Sequence, residues 1–430
     1  MRINYACNSP EHALSRRQFL VGSAVGTAGL LGFQQMLSPA NAQQLRRQDK
    51  RVLVIFLAGG LSQLESWDPK PGTNTGGPFL SIPTTIPGVR LSELLPHTAG
   101  QMHRLTIVRS INTAEDEHGR GAYIMQTGRR QTPGERYPHL GSVCARLLGN
   151  EESPLPGYIH ISPRGDGGGF NRGDSAFLGP RYASVTLADG APPANLLRPP
   201  TLTELADSER NDLRARLDQR FTQTHRSADT EAYTNSYAQA TEIMQRQQIF
   251  DIGREPLSLR DRYGHHEFGR HCLQARRLLE NGITFVKVTH SNYDTHHENF
   301  DFHIEQLGEF DRTFATLLDD LHQRGLLERT LVVVMSEFGR TPTINRNFGR
   351  DHWSRAWSVA MAGCGIRGGV VVGRTNDNGT AVVDRQVHGG HLFHTYFRAL
   401  GLDPRRNHYH QGRPIPMADP QADAITEALA

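Results

Sequence analysis

The stretch RVLVIFLA at residues 51–58, followed by Gly59 and Gly60, decides the fold class. An uninterrupted run of apolar and β-branched residues is typical of a strand buried on both faces, and the glycine pair ends it in a loop. Similar apolar runs occupy residues 105–108, 284–289, 331–335 and, more weakly, 358–362. The sequence therefore predicts a sheet with a buried centre.

Helical patterns lie between these runs. Residues 269–281 and 300–324 carry apolar side chains at i, i+3 and i+4, and Gly282 and Gly325 follow them as stop signals. Alternating strands and helices predict an α/β fold in which helices cover both faces of a central, mostly parallel sheet. In such sheets the functional groups collect where strands end and loops begin.

Residues 150–265 interrupt this alternation. They include a glycine-rich loop at 165–180, a proline-rich stretch at 192–200 and two polar helical stretches within 201–251. The glycine-rich loop lacks the Lys-Ser/Thr ending of a P-loop, so a plain flexible loop is favoured over an anion cradle. We predict one α/β domain at 43–430 with an insertion or lid at about 150–265.

The first 42 residues read as an export signal. Ser15-Arg16-Arg17-Gln18-Phe19-Leu20 precede a weakly apolar, glycine-rich stretch, and Ala40-Asn41-Ala42 supply a cleavage site. This pattern resembles a twin-arginine signal and predicts that the twin-arginine machinery exports the chain to the periplasm or beyond. An ordinary secretory leader or a retained anchor are the alternatives. No later segment is apolar enough to span a membrane, so none is expected in the mature chain.

Composition narrows the partners and the chemistry. The 430 residues carry a formal charge of +3, and without the leader 44 basic and 43 acidic residues remain, since the leader holds three arginines and one glutamate. This near-neutrality disfavours nucleic acid as a partner. Cys144, Cys272 and Cys364 form no metal-binding spacing, so we expect buried thiols, and any metal must rely on His, Asp and Glu.

Acidic and imidazole side chains cluster beside the predicted strands. The candidates are Glu65, Asp68, Asp294, His296, Glu337, Asp351 and His352. Taken singly, Asp294 could cap a helix, Glu337 could pair with Arg340, and Asp351 with His352 could be a surface pair. At one edge of a sheet, however, several carboxylates repel unless a cation neutralises them. We therefore predict a divalent metal site, with Zn²⁺, Mn²⁺, Mg²⁺ and Ca²⁺ all open.

Motifs along most of the chain support a family resemblance. They include LAGGLSQLESWDPKP at 57–71, YDTHHENFDFH at 293–303, TLVVVMSEFGRTPTINRNFGRDHW at 330–353 and GRPIP at 412–416. On these motifs the chain is identified as a member of the domain-of-unknown-function family 1501, which resembles a branch of the alkaline phosphatase and sulfatase superfamily. The resemblance implies an alkaline phosphatase-like α/β fold, one or two divalent metals and a nucleophile at a helix N-terminus.

The resemblance assigns a position to His118. Superfamily nucleophiles stand nine residues before the Thr of a Thr-Gly pair, and Thr127-Gly128 puts His118 there. An imidazole at a helix N-terminus can attack phosphorus, act as acid or base, or ligate a metal. The alternative is a polar residue in a degenerate pocket.

The resemblance also carries over the metal ligands. Asp294 and His296 match the Asp/His pair after a middle strand, and Glu337 stands where an Asp is usual, with Phe338 in place of a His. His352 matches the last ligand, with Asp351 assisting it. The usual first-strand Asp is missing, and Glu65 or Asp68 would substitute for it.

A formylglycine sulfatase mechanism is not expected. The sequence Cys272-Leu273-Gln274-Ala275-Arg276 has the Cys and Arg of the sulfatase signature, but it carries Gln in the middle, lies in a helical pattern and lacks a following Thr-Gly.

These features predict an exported, metal-dependent hydrolase of phosphate or sulfate esters. Asp294, His296, Glu337 and His352 would hold the ion, His118 would act on the anionic ester substrate, and Arg120, Arg109 or Arg340 would stabilise negative charge. The alternatives are a non-catalytic binding or assembly protein with a degenerate site and, more weakly, a polysaccharide binder that uses the 150–265 segment.

Overall fold

A nine-stranded sheet lies at the centre of the molecule, with helices on both faces. The computed structural model describes residues 49–150, 153, 155–164, 169–191, 201–224, 228–410 and 412–430. The predicted leader and the start of the glycine-rich loop lie outside these ranges. The strands are β1 (Arg51–Leu57), β2 (Ser81–Pro83), β3 (Arg90–Ser92), β4 (Leu105–Ile111), β5 (Tyr158–Ser162), β6 (Gly169–Asn171), β7 (Ser184–Ala188), β8 (Phe285–His290), β9 (Thr330–Met335), β10 (Gly339–Arg340), β11 (His352–Trp353), β12 (Trp357–Gly363), β13 (Val370–Val372), β14 (Arg374–Thr375), β15 (Val382–Asp384), β16 (Asn407–His410) and β17 (Arg413–Pro416).

Helices connect most of these strands. They are α1 (Pro96–Gly100), α2 (His118–Thr127), α3 (Leu140–Leu147), α4 (Glu204–Thr224), α5 (Ala228–Gln245), α6 (Leu257–Tyr263), α7 (Glu267–Glu280), α8 (Asn299–Gln323) and α9 (Gly389–Ala399). Among the described helices, none combines the length and the apolar character needed to cross a membrane.

The central sheet has the strand order β13-β4-β12-β9-β1-β8-β5-β7-β6. The pairings give seven strands one direction, whereas β12 and β6 run antiparallel to their neighbours. The predicted α/β class with a mostly parallel sheet is confirmed. The carboxyl ends of β4, β1, β8 and β9 therefore meet at one edge.

The alternation of side chains along β1 divides the core into two layers. Leu53, Ile55 and Leu57 pack on the α7 and α8 side, and Val52 and Val54 pack on the α3 and α9 side. These side chains are at most 1% exposed. Burying an aliphatic side chain of this size contributes about 1.5–3 kcal/mol, so β1 stabilises both layers.

Part of the segment predicted as an insertion belongs to the sheet. β5, β6 and β7 lie within residues 150–265 and extend the sheet beyond β8, whereas α4 and α5 are the two polar helical stretches. The three cysteines outside the leader are buried and unpaired, as expected. Cys272 lies in α7, consistent with rejecting it as a sulfatase signature.

Candidate functional site

Two glycines let the loops at the carboxyl edge pack closely. Gly59 follows β1 with φ +112°, and a Cβ there would lie 2.3 Å from the backbone nitrogen of Asp294. A Cβ on Gly349 would lie 2.0 Å from the carbonyl of His296. Because no other residue fits these contacts, the loops after β1 and β8 and the loop before β11 are held together.

His118 is the first residue of α2, in agreement with its predicted position at a helix N-terminus. The Glu117 side chain caps the helix by accepting from the backbone N–H groups of Gly119 and Arg120. At the other end Gly128 adopts a left-handed conformation against Phe393. The Glu117 cap fixes the first turn of α2, and Gly121 lets this turn lie against the Glu337 backbone just after β9.

Three histidines share one arrangement in which Nδ1 donates to an oxygen acceptor. His118 Nδ1 lies 2.8 Å from Glu337 Oε1, His296 Nδ1 lies 2.8 Å from Asp351 Oδ1, and His352 Nδ1 lies 2.7 Å from the Asp116 carbonyl. Because carboxylate and carbonyl oxygens accept hydrogen bonds, these contacts place a proton on each Nδ1. The Nε2 atom of each neutral ring is then left with its lone pair.

The three Nε2 atoms meet at the Asp294 carboxylate. The Nε2 atoms of His296 and His352 both lie 3.2 Å from Asp294 Oδ1 and 3.1 Å from each other, and His118 Nε2 lies 3.4 Å from Asp294 Oδ2. One donor atom each from His118, Asp294 and His352 fits within 4.8 Å. Two imidazole lone pairs this close repel unless a proton or a cation lies between them. Imidazoles fixed through Nδ1 and a carboxylate are the ligand set of zinc and related ions, so these residues fit a divalent metal.

Arg340 fixes the position of the Asp294 carboxylate. Its guanidinium is fully buried, bonds to Asp294 and to the Gly59 carbonyl, and donates to the carbonyls of Gly60 and Arg350, both at 3.0 Å. Burial alone would raise the pKa of Asp294, but the hydrogen bond and charge of Arg340 lower it to about 2. Asp294 is therefore ionised at neutral pH, while Arg340 positions it with four of its five N–H groups engaged and no surface exposed to solvent.

Glu337 and Asp351 lie behind the histidines rather than among the converging atoms. Glu337 Oε1 also accepts from the Gly59 backbone at 2.8 Å, so one oxygen joins β1, β9 and α2. The hydrogen bond to Glu337 raises the pKa of His118, and the hydrogen bond from His296 lowers the pKa of Asp351. In the structure, Glu337 and Asp351 therefore orient histidine rings and contribute no atom to the point where the rings converge.

Glu65 and Asp68 do not join the cluster. Glu65 is fully buried, forms a 2.7 Å ion pair with Arg350 and accepts from Asn299 at 3.1 Å. The carboxylate of Asp68 lies 3.1 Å from Lys70 and 3.6 Å from Arg109. Cations already neutralise both carboxylates, so the structure does not support them as substitutes for the missing first-strand Asp.

The other predicted arginines also lie apart from Asp294. Arg109 is held by Asp68, as described above. Arg120 is exposed, on the first turn of α2, and its side chain lies 3.1 Å from Glu115. Phe338, which stands where a histidine was expected, stacks on His352 with centroids 4.3 Å apart and contacts His118 at 4.9 Å. Phe338 therefore gives the histidines an apolar contact surface.

A second group of possible ligands is already neutralised. Asp189, Glu267 and His271 offer donor atoms within 4.8 Å of one another. However, Asp189 lies 3.0 Å from the guanidinium of Arg164 and 3.1 Å from that of Arg270. Two arginines leave no net charge for a cation, so this group is an ion-pair network.

Sequence reasoning missed two features near the site. The backbone carbonyl of Asp116 orients His352, and a contact from the backbone leaves no pattern in the sequence. Lys287 lies buried in the middle of β8, and burial lowers its pKa to about 8 against the attraction of Glu337 and Asp174. The sequence feature that could have identified Lys287 is a charged residue within the apolar run TFVKVT.

Comparison with solved structures finds similar folds among proteins of low sequence identity. A protein in the alkaline phosphatase superfamily from Vibrio parahaemolyticus is 11% identical, with 82% of this chain and 66% of that chain covered and a TM-score of 0.38. The alkaline phosphatase from the Antarctic bacterium TAB5 is 13% identical (82% and 98% covered, TM-score 0.37). The PsFucS1 sulfatase from Pseudoalteromonas sp. is 11% identical (84% and 72% covered, TM-score 0.33).

The chain spans about two thirds of the length of the Vibrio protein. Comparison with curated proteins found no match. The family model described as protein of unknown function (DUF1501) matches residues 49–429, and the chain belongs to this family.

Proposed function

We propose that the protein is an exported, metal-dependent hydrolase of phosphate or sulfate esters. The observation that carries this proposal is the convergence of three Nδ1-anchored imidazoles on the Asp294 carboxylate. Such preorganised nitrogen and oxygen donors at a half-exposed edge of the sheet suit a site that meets substrate from solvent.

Asp294, His296 and His352 would hold the ion. When bound, a divalent metal supplies Lewis-acid polarisation of a phosphate or sulfate oxygen. Asp351 and the Asp116 carbonyl keep the two imidazole rings oriented through their Nδ1 protons, and Arg340 keeps Asp294 ionised. The chain thus fixes the geometry before substrate arrives.

His118 would act on the ester from the first turn of α2. Glu337 fixes its Nδ1 proton, so Nε2 is the atom that faces the substrate and the Asp294 carboxylate. The hydrogen bond to Glu337 raises the pKa of His118 and so favours the imidazolium, in which Nε2 also carries a proton. Passing that proton to the leaving oxygen would be general acid catalysis. Alternatively, His118 Nε2 would be a fourth metal ligand. The two roles predict different results, because removing a ligand lowers the metal content of the protein and removing the acid does not.

Elemental analysis of the purified mature protein and assays on aryl phosphate and aryl sulfate esters test the proposal. Asp294→Asn should lose both the metal and the activity. His118→Ala should lose activity and keep the metal if it is the acid, or lose both if it is a ligand. His265→Ala, an exposed histidine elsewhere, is the matched control. A metal-free, inactive wild type would contradict the proposal.

One observation favours a second candidate, a non-catalytic binding protein. Arg340 is fully buried and four of its five N–H groups contact Asp294 and three backbone carbonyls, so its guanidinium is not exposed to stabilise a developing negative charge. Stoichiometric metal without turnover of either ester class would support this candidate.

Export is proposed from the leader sequence. Replacing Arg16 and Arg17 together by lysine should leave the chain in the cytoplasm, because twin-arginine signals are read by a receptor. Cell fractionation measures this, and unchanged export would contradict the twin-arginine route.

A further inference from the structure

A large cleft has part of its wall in α2, the helix that begins at His118. Its volume is about 1000 Å³, and its walls come from Arg120 of α2, the loop at residues 131–137, residues 173–177 and the β16–β17 hairpin. Arg120 is two residues from His118 in the first turn of α2, and residues two apart point to different sides of a helix. A molecule that occupies both the candidate site and this cleft must therefore pass around the first turn of α2.

The charged residues that line the cleft are mostly cationic. They are Arg120, Arg136 and Arg413, against a single carboxylate, Glu135. Glu135 is already occupied, because Tyr137 donates to it at 2.7 Å and Arg413 lies 2.7 Å from its other oxygen. These contacts lower the pKa of Glu135, the Tyr137 hydrogen bond most of all. Because Arg120 is likewise paired with Glu115, the positive charge that remains in the cleft is that of Arg136.

Arg136 is the cation that remains uncommitted. It is exposed, and within the part of the chain that the structure describes it has neither an ion pair nor a hydrogen bond. A guanidinium binds sulfate or phosphate through two parallel hydrogen bonds. A free arginine in a wall of the cleft is therefore a ready site for a second anionic group.

Ring surfaces and polar groups complete the lining. Phe177 is half-buried and lies with its centroid 5.3 Å from that of His410, at an angle of 32°. Gln131 and Thr132 add side chains that can donate to or accept from hydroxyl groups, and the Tyr137 hydroxyl, which donates to Glu135, can still accept. Aromatic faces beside such groups suit a sugar ring, which presents apolar C–H faces and a rim of hydroxyls.

We propose that the cleft binds the alcohol portion of the substrate, and that this portion is a carbohydrate carrying a second sulfate or phosphate group, bound by Arg136. The inference rests on the proposed ester hydrolysis for the identity of the reacting group. The near-neutral net charge and the mixed polar lining favour an anionic carbohydrate over a nucleic acid, which would need a longer basic track.

Calorimetric titration of the full mature protein with three probes tests the inference. The probes are a heparin-derived tetrasaccharide, its desulfated form and a single-stranded DNA tetranucleotide. Arg136→Ala should weaken binding of the sulfated tetrasaccharide about tenfold or more and leave binding of the desulfated form unchanged. Phe177→Ala should weaken binding of both sugars. Arg405→Ala, an exposed arginine paired with Asp423, is the matched control and should change neither.

Three results would overturn the inference. They are wild-type affinity for the sulfated tetrasaccharide in both Arg136→Ala and Phe177→Ala, no binding of this sugar by the wild type, and tighter binding of the tetranucleotide than of the sugar. Calorimetry reports binding without any chemical step. Sugar binding by a wild type that turns over neither aryl ester would therefore contradict the hydrolase proposal and leave the cleft inference standing.

Discussion

His118 Nδ1 lies 2.8 Å from Glu337 Oε1, although the two residues are 219 positions apart in the chain. The same Glu337 oxygen accepts from the Gly59 backbone, so the contact links the N-terminus of α2 to the ends of β1 and β9. The orientation of the His118 ring therefore depends on the central sheet and not only on its own helix.

Replacing Glu337 by glutamine tests this dependence. Glutamine keeps the shape but removes the charge, so the Nδ1 proton of His118 is held less firmly. Loss of an orienting partner of a metal-site histidine typically weakens metal affinity about 10–100-fold, and we expect a decrease in that range or a matching loss of activity. Competition with a chelator measures the affinity.

Glu427→Gln provides the control, because Glu427 forms an exposed ion pair with Arg385. It should leave the metal affinity unchanged. An unchanged affinity and activity in Glu337→Gln would show that Glu337 does not orient the site.

Gly59→Ala should disrupt the site through the backbone. The added Cβ would lie 2.3 Å from the Asp294 nitrogen at φ +112°, so the loops after β1 and β8 must separate. We expect loss of metal binding together with a destabilisation of about 2–4 kcal/mol, from overpacking and backbone strain. Urea unfolding and metal analysis measure the two effects.

Gly308→Ala is the matched control for this substitution. Gly308 lies in α8 with nothing within 4 Å of an added Cβ. Alanine there should stabilise the protein by about 0.5–1 kcal/mol, since it has the higher helix propensity. If Gly59→Ala behaved like Gly308→Ala, the close packing of the two loops would be unimportant.

The sequence predicts the parts of the fold that rest on continuous apolar runs. β1, β4, β8, β9 and β12 were found because their residues are buried on both faces. β5 and β7 were missed because each is five residues long and carries a polar residue in the middle, His160 and Thr186. In a short strand such a residue hides the apolar signal.

The sequence predicted which side chains belong to the candidate site, but not which distant residues form ion pairs with the candidate carboxylates. Asp294, His296 and His352 follow from residue type and from their place at strand ends. Glu65 carries the same signal, yet Arg350, 285 positions away, forms its ion pair. Pairing between distant residues depends on the folded geometry, so residue type alone cannot separate a ligand from a structural carboxylate.

Arg340→Lys should destabilise the fold and disturb Asp294. Lysine has three donors on one nitrogen and cannot reach the separate carbonyls of Gly60 and Arg350 that the fully buried guanidinium contacts. Leaving such groups unsatisfied costs about 1–3 kcal/mol each, so we expect a loss of about 3 kcal/mol in the free energy of unfolding.

The pKa of Asp294 should rise from about 2 toward its ordinary value in the same variant. NMR titration of the carboxyl group measures this change. Arg405→Lys at an exposed pair should cost less than about 0.5 kcal/mol and serves as the control. An equal, small cost in both variants would contradict the positioning role of Arg340.

Buried histidines should make the protein lose stability in mild acid. Burial lowers the pKa of His408 to about 3 and that of His139 to about 4, below the value near 6.5 expected in the unfolded chain. Between these values the unfolded state binds more protons, so stability is full above about pH 6.5 and falls as the pH decreases.

For His408, the loss between pH 7 and pH 5 should be about 2 kcal/mol, because each unit below the unfolded pKa contributes about 1.4 kcal/mol. His408→Phe removes this titratable group, and its ring can keep the edge contact with Phe177. Urea unfolding at the two pH values should show a smaller loss in the variant than in the wild type, whereas the exposed His265→Ala should follow the wild type. Equal losses in His408→Phe and the wild type would contradict the lowered pKa of His408, because they would mean that this side chain binds a proton as readily in the folded protein as in the unfolded chain.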